Sequence, residues 1–168
     1  MPLEQSSHWY HKKYSSLYTI LIFILFWGGS VISGDIFKVQ KRVIRIITIK
    51  CRCESCRPLF KQLKILTLFS QYVVSVLVFM TRNMNLFTFN REIRSINTRS
   101  SFDLHLQSTN LSVVQKGVLH SGCKMFNSLP VYIKTHLENT RHSKKILKNY
   151  LIEHSLYSMD EYYHLTAS

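Results

Sequence analysis

Acidic residues are scarce in this chain of 168 amino acids, since nine Asp and Glu stand against 22 Lys and Arg, for a formal net charge of +13. The three aspartates, Asp35, Asp103 and Asp160, are far apart in the sequence. Catalysis on two metal ions needs carboxylates that are clustered around both ions. This spacing therefore predicts that the chain has no two-metal catalytic centre.

Glycine is also scarce, and none of the five glycines belongs to the G-x-x-x-x-G-K-[ST] pattern of a phosphate-binding loop. The eight histidines offer no recognisable pairing with a nucleophile or an orienting group. We therefore expect a protein that is not an enzyme and that binds no cofactor.

Cysteine is too rare and too clustered for a disulfide scaffold, with four in the whole chain. We expect reduced thiols. Cys51, Cys53 and Cys56 are weak candidates for metal ligands, but a structural zinc site needs four ligands, and a fourth could come only through a long loop. The spacing favours ordinary turn and core thiols, with a zinc site as the alternative.

The chain lacks an apolar run of the length that spans a bilayer. Residues 17–27 are almost continuously apolar, but the run breaks at Gly28 after eleven residues, whereas a span needs about 20. A core helix and an intracellular protein, nuclear or cytoplasmic, are the favoured interpretation. A signal peptide or a membrane segment over residues 17–32 stays open as the alternative.

What is present is a globular composition, with 46% hydrophobic and 18% charged residues, which suits one domain. Helical spacing of apolar residues predicts a mostly α-helical fold of about five to seven helices, with an irregular central loop over residues 83–110. Residues 1–34 would form an N-terminal arm and apolar helix, and residues 35–168 a basic helical domain. The most apolar helix should begin at Thr67 or Ser70 and end near Arg82, although its β-branched content leaves a strand open.

The most basic segment is residues 35–64, with nine Lys and Arg against two acids. Asp35 is a good N-cap for a helix that should end near Thr48. On the predicted packing face lie Ile36, Val39 or Gln40, Val43, Ile46 and Ile47. On the opposite face lie Lys38, Lys41, Arg42 and Arg45.

The near absence of acids between Phe37 and Lys50 favours salt-dependent binding of RNA or DNA without sequence preference. A solvated helix face and a helix lying on an anionic membrane are the alternatives. Basic residues of the central loop could clamp a single strand beside aromatic rings. The predicted nucleic-acid-binding residues are Lys38, Lys41, Arg42, Arg45, Lys50, Arg52, Arg57, Arg94 and Arg99.

Five short sequence blocks of this chain occur in the same order as in a known protein family. They are Phe26-Trp27-Gly28, the basic stretch 36–47, Ser55-Cys56-Arg57-Pro58-Leu59-Phe60, Asn97-Thr98-Arg99 and Asn127-Ser128-Leu129-Pro130. Over roughly residues 14–164 the chain resembles the C-terminal end of jockey-like non-LTR retrotransposon reverse transcriptases of animals. The last block suits a capped turn anchored by Phe126 and Leu129, without a catalytic role.

The resemblance implies a region that follows the polymerase thumb and contacts template RNA or target DNA during target-primed reverse transcription. The endonuclease and the paired aspartates of that family's polymerase have no counterpart in this sequence. We therefore expect a non-catalytic remnant that binds nucleic acid, with the rest of a retrotransposon polymerase as a further partner. A fragment without selected function and a membrane-anchored or secreted basic protein are the alternatives.

Overall fold

The computed structural model describes residues 32–93, 100–106, 117–134 and 140–166. Within these ranges the regular structure is helical, apart from an isolated antiparallel bridge between Phe89 and Leu104, which confirms the predicted mostly α-helical class. A 3-10 helix, Met84–Leu86, follows the third α-helix. The α-helices are α1 Ser33–Ile47, α2 Arg57–Gln62, α3 Leu68–Arg82, α4 Asn90–Ile93, α5 Val118–Asn127, α6 Val131–Lys134, α7 Thr140–His154 and α8 Met159–Thr166.

Helix α3 is the centre of the domain, as its apolar sequence predicts. Thr67 caps it, because the Thr67 hydroxyl accepts a hydrogen bond from the Ser70 N–H at 3.2 Å. Tyr72, Val73 and Val74 are consecutive and all buried, so neighbouring elements cover more than one face of the helix. Its most extensive contacts are with α7 and α5. The strand alternative for this segment is wrong.

Helix α5 crosses α3 at Gly122. A Cβ atom on Gly122 would lie 2.5 Å from Met80 Sδ and 3.2 Å from Val76 Cγ1. The missing side chain therefore sets how closely the two helices approach.

Helix α1 packs on the core through Phe37 and Ile44, which are both buried. The Phe37 ring lies edge-on to Phe69 and to Tyr157, with centroids 5.3 Å and 4.9 Å away. Gln40 joins α1 to the start of α3, since its amide accepts from the Leu68 N–H at 2.9 Å. Aromatic packing thus fixes which side of α1 faces inward.

The predicted packing face of α1 is wrong in its main members. Val39, Val43, Ile46 and Ile47 are 47% to 67% exposed, although Ile36 and Gln40 of that face are half-buried. The reason is that α1 carries two apolar stripes. The stripe that contains Phe37 packs inward because its ring contacts the rings of Phe69 and Tyr157.

The start of α1 also differs from the prediction. The helix begins at Ser33, two residues before Asp35, and no side chain caps it. Asp35 lies instead in the first turn, where its carboxylate suits the positive end of the helix.

The turn after α5 has its predicted apolar anchors. Phe126 and Leu129 are buried, and the Ser128 hydroxyl donates to the Lys124 carbonyl at 2.8 Å. Asn127 does not cap this turn, because its side chain reaches the backbone of Leu104.

Several predictions lie outside the described residues. They are the apolar segment 17–27, the N-terminal arm, and the basic loop residues Arg94 and Arg99. Within the part of the chain that is described, no helix has both the length and the apolar character to cross a bilayer.

Candidate nucleic-acid interface

The C-terminal end of α1 brings its basic face next to the following loop. The Lys50 N–H donates to the Arg45 carbonyl at 3.0 Å, and Ile49 adopts a left-handed conformation with φ of 52°. This hydrogen-bond pattern ends helices by folding the chain back over the last turn. Residues 50–52 therefore lie beside Arg42 and Arg45 rather than continuing away from the helix.

These two segments enclose a surface depression of about 810 Å³. Four of its seven lining residues are cations that the sequence predicts to bind nucleic acid, and none is acidic. The lining residues are Arg42, Arg45, Ile46, Ile49, Lys50, Cys51 and Arg52. We call this surface the basic depression.

Two of its cations are held in place by Glu54. The Arg45 guanidinium donates to the Glu54 backbone carbonyl from Nη2 at 3.1 Å, and Lys50 Nζ lies 3.2 Å from the Glu54 carboxylate. Both ion-pair partners are about half exposed, so solvent screens this pair. The Arg45 bond holds the loop against α1, whereas the Lys50–Glu54 pair lies within the loop and offsets part of the charge of Lys50.

The other two cations, Arg42 and Arg52, are exposed. Among the described residues, neither forms an ion pair with a carboxylate. Arginine presents a planar set of donors that matches a phosphate group. These two side chains are therefore the ones best placed to contact a polyanion.

Three further predicted binding residues lie outside the basic depression. Lys38 Nζ bonds to the Asp35 carboxylate at 2.8 Å, and this hydrogen bond raises the pKa of Lys38 and lowers the pKa of Asp35. Lys41 Nζ lies over the Phe37 and Tyr157 rings, 4.8 Å and 5.4 Å from their centroids.

Arg57 is the third of these residues. Its guanidinium bonds to Glu161 and lies 4.5 Å from the centroid of the Tyr157 ring. Glu161 also accepts from the Tyr157 N–H at 2.9 Å, while its own N–H donates to the Ser158 hydroxyl at 3.2 Å. Arg57 thus joins α2 to the start of α8, which is a packing role.

The three weak metal candidates are not brought together. Cys51 and Cys53 are exposed, with their sulfurs 3.1 Å apart, whereas Cys56 is buried and donates to the Lys41 carbonyl at 3.7 Å. Over residues 32–93, 100–106, 117–134 and 140–166, no group of three or more His, Cys, Asp or Glu side chains could hold a metal ion.

Two of the three aspartates pair with lysines. Asp103 bonds to Lys134 at 2.7 Å, and Asp35 bonds to Lys38, so each lies beside a cation rather than beside another acid.

Sequence reasoning missed the apolar part of the depression. The spacing of apolar residues predicts that Ile46 packs inward. Ile49 has a left-handed backbone conformation that β-branched residues rarely adopt, so the local sequence does not predict its position. The spacing of Cys51 suggests a metal ligand rather than a residue of this depression. Helical spacing beyond residue 47 could not have placed Ile49, because the chain reverses there.

Comparison with known proteins gives no match, since no protein-family model, no curated protein and no solved structure is significantly similar to this chain.

Proposed function

We propose that this protein is a non-catalytic remnant of a retrotransposon reverse transcriptase that binds RNA or DNA at the basic depression without sequence preference. The observation that carries the proposal is the convergence of Arg42, Arg45, Lys50 and Arg52 on one depression whose lining contains no acid. The family resemblance of the sequence supports the same class of partner. Access to RNA or DNA implies a nuclear or cytoplasmic protein.

Binding would rest on phosphate contacts. Each phosphate that a cation neutralises releases condensed counterions, which makes affinity fall with salt concentration. Arg42 and Arg52 would contact phosphates directly, while Arg45 holds the loop against the helix. The lining contains no aromatic side chain on which a base could stack, so the depression offers charge rather than base recognition.

The test compares the salt dependence of binding in two variants of equal charge. Replacing Arg42 and Arg52 together by Gln should reduce the slope of log affinity against log salt by about 2 on duplex DNA, if each contacts one phosphate. The control replaces Lys144 and Lys145, which are exposed on α7 outside the depression, by Gln. The Lys144, Lys145 variant should change the slope by less than half of the change in the Arg42, Arg52 variant. Equal slopes in both variants would remove the depression from the interface.

We also propose that the protein does not catalyse nucleotide transfer. A primed template with magnesium or manganese should show no nucleotide incorporation above that of a heat-denatured sample. Incorporation that disappears in Asp103→Asn protein would contradict this proposal.

A second candidate function is attachment to an anionic membrane surface. It is favoured by the exposure of Val39, Val43 and Ile46 beside Arg42, since a basic helix with an exposed apolar stripe suits the lipid interface. Sedimentation with phosphatidylserine vesicles that is lost in Val39→Ser, Val43→Ser protein would support it. Retained nucleic-acid binding by the same variant would then separate the two functions.

A further inference from the structure

Two exposed thiols meet in the turn that follows α1. The Cys53 thiol donates a hydrogen bond to Cys51 Sγ over 3.1 Å. The turn is closed by the Glu54 N–H, which donates to the Cys51 carbonyl at 3.3 Å. The other two thiols, Cys56 and Cys123, are buried. The chain therefore separates its four cysteines into an accessible pair and two inaccessible ones.

The turn is fixed from outside as well. Glu54 receives the Arg45 guanidinium on its backbone carbonyl and the Lys50 ammonium on its carboxylate. A disulfide has an S–S length of about 2.05 Å, so the two sulfurs need to approach by about 1 Å more. That movement is small enough for side-chain rotation within the turn.

We propose that Cys51 and Cys53 form a dithiol that reacts with hydroperoxides and closes to an intrachain disulfide. Cys51 is the sulfur that attacks, because it accepts the hydrogen bond from Cys53. Cys53 is the sulfur that resolves the oxidised intermediate, because it already lies in contact.

The electrostatics support this order of events. The hydrogen bond from Cys53, followed by backbone hydrogen bonds from Cys53 and Arg52, lowers the pKa of Cys51, whereas burial raises the pKa of Cys123. The thiolate is the reactive form of cysteine, so Cys51 should react ahead of Cys123.

The chemistry balances in two steps. The Cys51 thiolate forms an S–O bond with one peroxide oxygen while the O–O bond breaks, and the departing oxygen takes a proton to leave as water or an alcohol. Cys53 sulfur then attacks Cys51 sulfur, the S–O bond breaks, and the hydroxyl leaves as water with the Cys53 proton. The peroxide is reduced by two electrons and the dithiol is oxidised to the disulfide.

The test uses the reduced, full-length protein with one equivalent of hydrogen peroxide under native conditions. Intact mass should fall by two hydrogen atoms, and digestion without reductant should link Cys51 to Cys53. Cys56 and Cys123 should stay free until the protein is denatured. Retention of four free thiols, or a disulfide that maps to other cysteines or joins two chains, would overturn the proposal.

Single variants assign the two roles. Cys53→Ser protein should stop at a sulfenic acid on Cys51, which dimedone traps. Cys51→Ser should slow the reaction with peroxide at least about tenfold, because the ionised sulfur is lost. Cys123→Ser is the matched control and should react as the wild type does. A Cys51→Ser variant that reacts at the wild-type rate would show that Cys51 is not the attacking sulfur and would sink the proposal.

Discussion

The side-chain amide of Asn127 pairs with both backbone groups of Leu104. The Leu104 N–H donates to Asn127 Oδ1 at 2.8 Å, and Asn127 Nδ2 donates to the Leu104 carbonyl at 2.9 Å. Leu104 is itself buried, so its backbone polar groups depend on this side chain for part of their hydrogen bonding. These two hydrogen bonds attach the irregular segment 100–106 to the end of α5.

Replacing Asn127 by Ala should lower the free energy of unfolding by about 1–3 kcal/mol, because it leaves two backbone groups of a buried residue without these partners. Urea denaturation measures the change. Asn149→Ala, at an exposed position of α7, is the control and should stay within about 0.5 kcal/mol of wild type. Equal effects of the two substitutions would show that the Leu104 pairing contributes nothing.

Replacing Gly122 by Ala should destabilise the domain. Alanine favours a helix over glycine by about 1 kcal/mol, but the added methyl group collides with Met80 and Val76, and overpacking costs about 1–3 kcal/mol. Met80 is fully buried, so it has little room to move aside. Thermal unfolding of Gly122→Ala should therefore show a lower Tm. A raised Tm would mean that α3 and α5 separate without cost.

Replacing Ile49 by Gly should stabilise the domain by about 1 kcal/mol. Ile49 has φ of 52°, a left-handed conformation that costs a non-glycine residue about 1–2 kcal/mol, and its side chain is exposed. Ile49→Val keeps the β-branch and should leave stability unchanged in the same urea titration. Destabilisation by Gly would show that Ile49 makes contacts that outweigh the backbone strain.

Alkaline pH should destabilise the domain, in part through Tyr162. Burial raises the pKa of Tyr162, and its hydroxyl donates to the Met125 carbonyl at 2.8 Å. Above the unfolded pKa of about 10, the unfolded chain loses the proton while the folded chain keeps it, so stability falls as pH rises. Below that pH the contribution is fully present.

Tyr162→Phe checks this prediction. Near neutral pH it should cost about 1 kcal/mol through the lost hydrogen bond. Above pH 10 the variant should lose stability less steeply than wild type, by about 1.4 kcal/mol per pH unit for one proton. Parallel stability curves from pH 8 to 11 would exclude Tyr162 as a source of the alkaline loss.

Local sequence determined the central helix and its cap. Ten of the fifteen residues of α3 are apolar and spread over most of its circumference, which predicts a buried helix, and the hydroxyl of Thr67 caps its first turn wherever the helix lies. Helical spacing also predicted that Arg42 faces solvent, and Arg42 is exposed, although most of the apolar face from which this was inferred does not pack inward.

Only the tertiary structure decided which apolar stripe of α1 turns inward. Phe37 packs inward because its ring contacts the ring of Tyr157, which lies 120 residues later in the chain. The Tyr157 ring also contacts the Lys41 ammonium, and Glu161 forms an ion pair with Arg57. Two cations that the sequence predicts to bind nucleic acid are therefore engaged in packing. Local periodicity carries no information about contacts between such distant segments, and burial of aromatic surface outweighs the preference of a single cation for solvent.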